Sequence, residues 1–120
     1  MSREIKKYEV FKKAHQLVLK VYSITKKFPA EERYGLVSQM RRSAYSIPMN
    51  LIEGGARDSE AEFRYFVNIA CGSSAEVQYQ LELVRDLQYI TQQEYVELDK
   101  EYNDVGKMLN GLMKKLSANS

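Results

Sequence analysis

The sequence predicts an all-α protein, an antiparallel up-down-up-down bundle of four helices. Three observations predict it. Two prolines and six glycines in 120 residues are too few for the turns of an all-β domain, whereas a few long helices need only three connections. Apolar residues recur at alternating steps of three and four in four separate stretches. The connections between those stretches, at 28–30, 54–58 and 89–91, are short enough to force antiparallel neighbours. No repeat or linker divides the chain, so residues 1–120 read as a single domain, large enough to bury a core without disulfide or metal.

The first helix is expected over about 8–27. Val10, Ala14, Leu17, Val21, Ile24 and Phe28 form one stripe, and Lys12, Lys13, Lys20 and Lys27 face the other way. Phe28-Pro29 ends it, because proline disfavours a helical residue before it. The second helix is expected over about 31–53, starting at Glu31 or, if Gly35 interrupts its first turns, at Leu36. Val37, Met40, Ala44, Ile47 and Leu51 are its core face. Pro48 lacks a backbone N–H and predicts a kink. Gly54-Gly55 predicts a glycine stop.

The third helix, about 59–89, opens with a capping box, Ser59 and Glu62. Phe63, Phe66, Ala70, Val77, Val84 and Leu87 are expected to face inward. Its middle, from Ala70 to Ala75, has only small side chains. Gly72 there costs roughly 1 kcal/mol of helix propensity, so close approach of a neighbouring helix is expected. The fourth, about 92–116, follows a second capping box, Thr91 and Glu94. Tyr95, Leu98, Tyr102, Val105, Leu109, Leu112 and Leu116 form the cleanest heptad in the chain. Beyond Leu116 a polar, frayed tail is expected.

Little catalytic chemistry is legible. A di-iron bundle needs Glu-x-x-His on two helices, and His15 is the one histidine. One His and one Cys cannot build an ordinary zinc site. The phosphate-loop pattern is absent, and the acidic run Glu94, Glu97, Asp99, Glu101 and Asp104 lacks the glycine-bearing loop of a calcium site. Cys71, mid-helix, reads as a small packing residue rather than a nucleophile. The expectation is no catalytic residue, no metal and no cofactor. A lone cysteine suggests an intracellular, cytoplasmic protein. No apolar run approaches the roughly 18 residues of a membrane span, and MSREIKKYEVFKK lacks the apolar block of a signal peptide.

Two polar patterns stand out. Gln39, Arg42, Ser46, Asn50 and Glu53 form a stripe along the second helix, and Ser73, Glu76 and Gln80 share a face of the third. Folding the hairpin about 54–58 brings Gln39 and Arg42 level with Ala70 to Glu76. A buried structural network, with Arg42 paired to Glu76, is the expectation, and a ligand site is the alternative. The second pattern is charge. The start of the first helix, the turn at 54–58 and the end of the fourth helix share one pole in this topology. Arg3, Lys6, Lys7, Lys12, Lys13, Arg57, Arg64, Lys107, Lys114 and Lys115 oppose six carboxylates there, a balance of +4. The rest of the chain carries −2. Such a field steers polyanions. Lys6, Lys7, Arg57, Arg64, Lys114 and Lys115 are the candidate nucleic-acid contacts, with Tyr8 and Tyr65 near the same end as stacking partners. An ordinary solvated surface is the alternative.

The stretch from Phe28 to Gln80 resembles the four-helix-bundle proteins encoded in 23S rRNA intervening sequences. The telling pieces are Gln39-Met40-Arg41-Arg42, Ser46-Ile47-Pro48-x-Asn50, Glu53-Gly54 and Gly72-Ser73. Many relatives carry Ala at the position of Met49, and Ala or Leu around Leu51-Ile52, a minor departure. The chain is also similar to the accessory variability protein of diversity-generating retroelements, a pentameric bundle that engages nucleic acid. The resemblance implies a non-enzymatic homo-oligomer, a pentamer by that analogy, that binds RNA or serves as a ribosome-associated scaffold. A protein–protein adaptor with no nucleic-acid role is the second reading; nine tyrosines suit either.

Overall fold

The computed structural model describes residues 3–119. Four α-helices carry the fold: α1 (Glu9–Thr25), α2 (Ser38–Gly55), α3 (Glu60–Asp86) and α4 (Gln92–Asn119). There is no strand among the described residues. A short 3₁₀ turn (Ile5–Lys7) precedes α1. A 3₁₀ turn (Ala30–Glu32) and a π-type turn (Arg33–Val37) lead into α2.

Side-chain contacts fix the antiparallel order, because partner numbers fall as helix numbers rise. Between α1 and α4 the ion pairs are Lys13–Asp104, Lys20–Glu101 and Lys27–Glu94. Between α3 and α4, Arg64 meets Met113, Gln78 meets Asp99 and Arg85 covers Tyr95. Between α2 and α3, Ser43 meets Gln80 and Ser46 meets Ser73. Arg41 on α2 reaches Thr25 at the end of α1. The bundle is 45 Å long, close to the roughly 40 Å that 27 residues span at 1.5 Å each.

Helix ends follow their local chemistry. Thr91 and Glu94 close both arms of a capping box. Glu94 N–H donates to Thr91 Oγ1 at 3.0 Å, and Thr91 N–H donates to Glu94 Oε1 at 2.9 Å. Ser59 caps α3 by accepting from Glu62 N–H at 3.1 Å. At its other end α3 stops at Asp86, short of the expected Tyr89, because Gln88 turns left-handed with φ 65°. Tyr89 N–H then bonds Val84 O and Gln88 N–H bonds Arg85 O, both at 2.9 Å. That is a Schellman closure with glutamine where glycine is usual. α4 runs past Leu116 to Asn119, three residues beyond the expected end.

Most of the core is the set the periodicity marked, with Ile5, Val18, Val67, Leu81 and Ile90 added and Ile24, Phe66, Tyr95 and Leu112 only half-buried. Leu17, Val21, Met40, Ile47, Leu51, Phe63, Val77, Val84, Tyr102 and Leu109 are fully buried. Each large apolar side chain of this kind is worth about 1.5–3 kcal/mol of transfer free energy. Leu87 departs from expectation. It stands after the last turn of α3, where the chain has already turned, and is 44 % exposed.

Of the three glycine expectations, one holds and two need revision. Gly35 does interrupt the approach to α2, at φ −110° and ψ −107°. Gly54 and Gly55, however, do not end α2 through a left-handed cap, since no glycine among the described residues has positive φ. They are small because neighbours press on them: a Cβ on Gly55 would overlap Ile5, and Gly54 meets Phe63 and Phe66. Gly72 is the reverse case. A Cβ there would meet nothing within 4 Å, so no helix approaches it. The close packing of mid-α3 belongs to Ala70, Ser73 and Ser74, which are buried. Pro48 is buried inside α2, which continues through it. The Asn50 amide reaches back to Ser46 O at 2.8 Å in the turn that Pro48 occupies.

Candidate functional site

The polar stripe of α2 divides into an inner ladder and an outer rim. In the ladder, the hydroxyls of Ser46 and Ser73 are 2.8 Å apart, Asn50 Nδ2 donates to Ser46 Oγ at 2.9 Å, and Gln80 Nε2 donates to Ser43 Oγ at 3.0 Å. Ser43 and Ser73 are buried, so these bonds satisfy polar groups that water does not reach. The rim consists of Gln39, Arg42, Glu53 and Glu76, all exposed. Arg42 and Glu76 line one cleft of about 300 Å³ with Gln39, Ser43, Ser46 and Ser73. The expected buried Arg42–Glu76 pair does not form: both side chains sit on the solvent flank of the α2–α3 seam. Arg42 has no hydrogen-bond or ion-pair partner among the described residues. It also borders a second cleft, of about 480 Å³, with Ser38, Tyr45, Ser46, Met49, Asn50 and Glu53.

The structure gathers most basic residues of the pole at one end of the bundle and sorts them; Lys13, paired with Asp104 midway along α4, and the nearby Lys107 lie away from that end. Arg3 Nη1 donates to Gly55 O and, at 2.8 Å, to Arg57 O, and its guanidinium lies over the Phe63 ring. Arg57 pairs with Glu53 at 3.0 Å and covers Phe66. Arg64 Nε donates to Met113 O at 3.3 Å, tying α3 to the end of α4. Lys7 pairs with Glu4 at 3.2 Å. Lys6, Lys114 and Lys115 are exposed and have no partner among the described residues. Three of the six candidate contacts thus serve the fold or a neighbouring carboxylate, and three are free. Tyr65 is exposed, whereas Tyr8 is half-buried, edge-on to Phe63 at 6.5 Å.

Arg41 stands in the sequence motif without a role of its own, and the tertiary structure gives it one. Arg41 Nε donates to Thr25 Oγ1 at 2.9 Å, its Nη2 reaches Tyr22 O, and its guanidinium stacks over Tyr22 at 4.4 Å. The available signal was its position, one step from core residue Met40 on the flank of α2 that meets α1.

The reactive side chains are not combined. Cys71 packs partly buried against the core. Burial pushes its thiol pKa up, outweighing the opposite pull of Arg64, so the thiol keeps its proton at neutral pH and is a poor nucleophile. His15 is exposed and stacks on Phe11. Among the described residues no group of three or more His, Cys, Asp or Glu could hold a metal ion, and no helix is long and apolar enough to cross a membrane.

Bundle, ladder and charged ends together define a four-helix-bundle protein. The chain belongs to the family described as 23S rRNA-intervening sequence protein, whose model matches residues 6–111. A solved crystal structure of a protein with unknown function from the S23 ribosomal protein family, from Bacteroides thetaiotaomicron, shares the fold with a TM-score of 0.81. It is 27% identical, and the match covers 88% of this chain and 95% of that one. No curated protein matches the chain.

Proposed function

We propose that the protein is a cytoplasmic, non-enzymatic homo-oligomer that binds RNA through the end of the bundle where α1 begins and α4 finishes. The observation that carries the RNA reading is the freedom of Lys6, Lys114 and Lys115. They come from opposite ends of the sequence, converge on one end of the fold, and have no carboxylate partner there. Phosphate neutralisation by lysine needs no base readout, so three mobile cations per subunit suffice for a salt-dependent contact, and a ring of subunits multiplies it. Glu60, Glu62 and Asp58 share that end and reduce the field. The family's link to 23S rRNA intervening sequences supports the choice of RNA.

Self-association is supported by the outer face of α2. Tyr45, Met49 and Ile52 are exposed there, Met49 at 61 %, beside the unpaired Arg42. The pentamer is the form suggested by the resemblance to the retroelement accessory protein.

The test is RNA affinity at several salt concentrations. A Lys6, Lys7, Lys114 and Lys115 to Ser variant should bind more weakly, with a salt slope lower by roughly one unit per lost contact. A control with Lys20 and Lys27 changed, which are paired with Glu101 and Glu94, should bind nearly as the parent does. Equal loss in the control would overturn the assignment. Light scattering of the parent at micromolar concentration reads the assembly, and a clean monomer would rule it out.

A further inference from the structure

A second cationic feature lies at the other end of α1, about 25 Å away along a 17-residue helix. Between the end of α1 and the start of α2 the chain encloses a cleft of about 360 Å³. It is lined by Thr25, Lys26, Phe28, Pro29, Ala30, Arg33, Val37 and Arg41. Three of these residues are cationic and none is a carboxylate. The cations are not consumed internally. Lys26 and Arg33 are exposed, and their side chains bond to no other described residue. Arg41 is held by a hydroxyl, a carbonyl and the Tyr22 ring, all uncharged. Its guanidinium is therefore fixed in place while its charge stays uncompensated. Two of its five N–H groups are spent on Thr25 and Tyr22, which leaves donors for a ligand. The neighbouring acids are occupied or turned elsewhere. Glu32 accepts from Tyr89 O–H at 2.8 Å, Glu94 pairs with Lys27, and neither Glu31 nor Glu32 lines the cleft.

We propose that this cleft binds the phosphate group of a nucleotide. A held arginine flanked by two exposed cations complements a phosphate dianion in charge, and guanidinium forks favour its oxygens. Tyr34, the residue after Arg33, is 89 % exposed and supplies a ring on which the attached base can stack. The proposal uses none of the residues of the RNA-binding end and stands or falls separately from that reading.

The experiment is titration of the full chain, followed by backbone amide shifts at constant ionic strength. The probes are inorganic phosphate, adenosine monophosphate, and a short oligoribonucleotide with and without a 5′-phosphate. The expected result is saturable shifts over residues 25–41, with the phosphorylated probes binding more tightly than the unphosphorylated oligonucleotide. Lys26→Gln with Arg33→Gln touches no internal bond and should keep the fold while weakening binding by about tenfold or more. Changing Lys6, Lys114 and Lys115 to Ser should leave binding at this cleft intact. Inorganic phosphate binding as tightly as the monophosphate would assign the cleft to the free ion and overturn the nucleotide. Shifts that fail to saturate, or a double variant that binds like the parent, would overturn the site.

Discussion

Gly54 and Phe66 are in direct contact across the α2–α3 hairpin: a Cβ placed on Gly54 would stand 2.7 Å from Phe66 Cβ and 3.2 Å from the carbonyl oxygen of Phe63. Neither obstacle is the end of a flexible side chain, so closing the hairpin around any larger residue here requires the helices to shift apart. The contact sets the approach of α2 to α3 at the end of the bundle where Arg3, Arg57 and Arg64 also gather.

Gly54→Ala should therefore destabilise the protein by about 1–3 kcal/mol, the usual cost of forcing an extra methyl into a packed site. Gly72→Ala, on the open side of α3, should stabilise it by about 0.5–1 kcal/mol through helix propensity and a less flexible unfolded chain. Denaturant melts of the two variants check both signs, and a stabilised Gly54→Ala would show that the hairpin has slack.

Arg42→Ala should change stability by no more than about 0.5 kcal/mol, as expected for an exposed side chain without a partner. Ser73→Ala, which removes a buried rung of the ladder, should cost about 1 kcal/mol. Urea titration in dilute solution distinguishes them. A loss of about 3–5 kcal/mol for Arg42→Ala would reinstate a buried ion pair.

The left-handed Gln88 gives a local test of the α3 terminus. A residue with a Cβ pays roughly 1–2 kcal/mol for that conformation. Gln88→Gly should raise stability by about 1 kcal/mol and Gln88→Val should lower it, both read from the thermal midpoint.

Tyr102 carries the pH prediction. Its ring is fully buried and its hydroxyl has no partner among the described residues. Burial pushes its pKa well above the ordinary tyrosine value, with a smaller push from Glu101. The folded state holds this proton while the unfolded chain releases it above about pH 10. The stabilising contribution is thus complete below pH 10 and is lost as pH rises toward the folded pKa, at up to roughly 1.4 kcal/mol per pH unit. Tyr102→Phe should be near neutral at pH 7, since it deletes an unpaired hydroxyl, and should flatten the alkaline loss. Stability of the two proteins measured from pH 8 to 11 decides it; parallel curves would remove Tyr102 as the cause.

Much of this protein was determined by the sequence itself. Helical periodicity is a local property, so the four helices and core residues such as Met40, Ile47, Val77 and Leu109 were legible without coordinates. Capping at Ser59 and Thr91 was equally legible, because a cap is satisfied within four residues. The topology followed from short connections, and with it the gathering of Lys6, Arg57 and Lys115 at one end.

Only the tertiary structure decided which charges are spent. Arg57 answers Glu53 and Arg64 answers a carbonyl of α4, whereas Lys114 answers nothing among the described residues. The charge tally counts all three alike. The same tally gave Lys26, Arg33 and Arg41 to a region of net negative charge, although the fold gathers them in one cleft without a carboxylate. Arg42 and Glu76 were placed level by the helix register but not buried, and Gly54 and Gly72 exchanged their expected surroundings. The reason is physical. Periodicity specifies which face of a helix turns inward, but the depth of a flanking residue depends on how far apart two helices sit and how they rotate about their axes. Those two quantities are set by packing across the whole interface, and no single stretch of chain contains them.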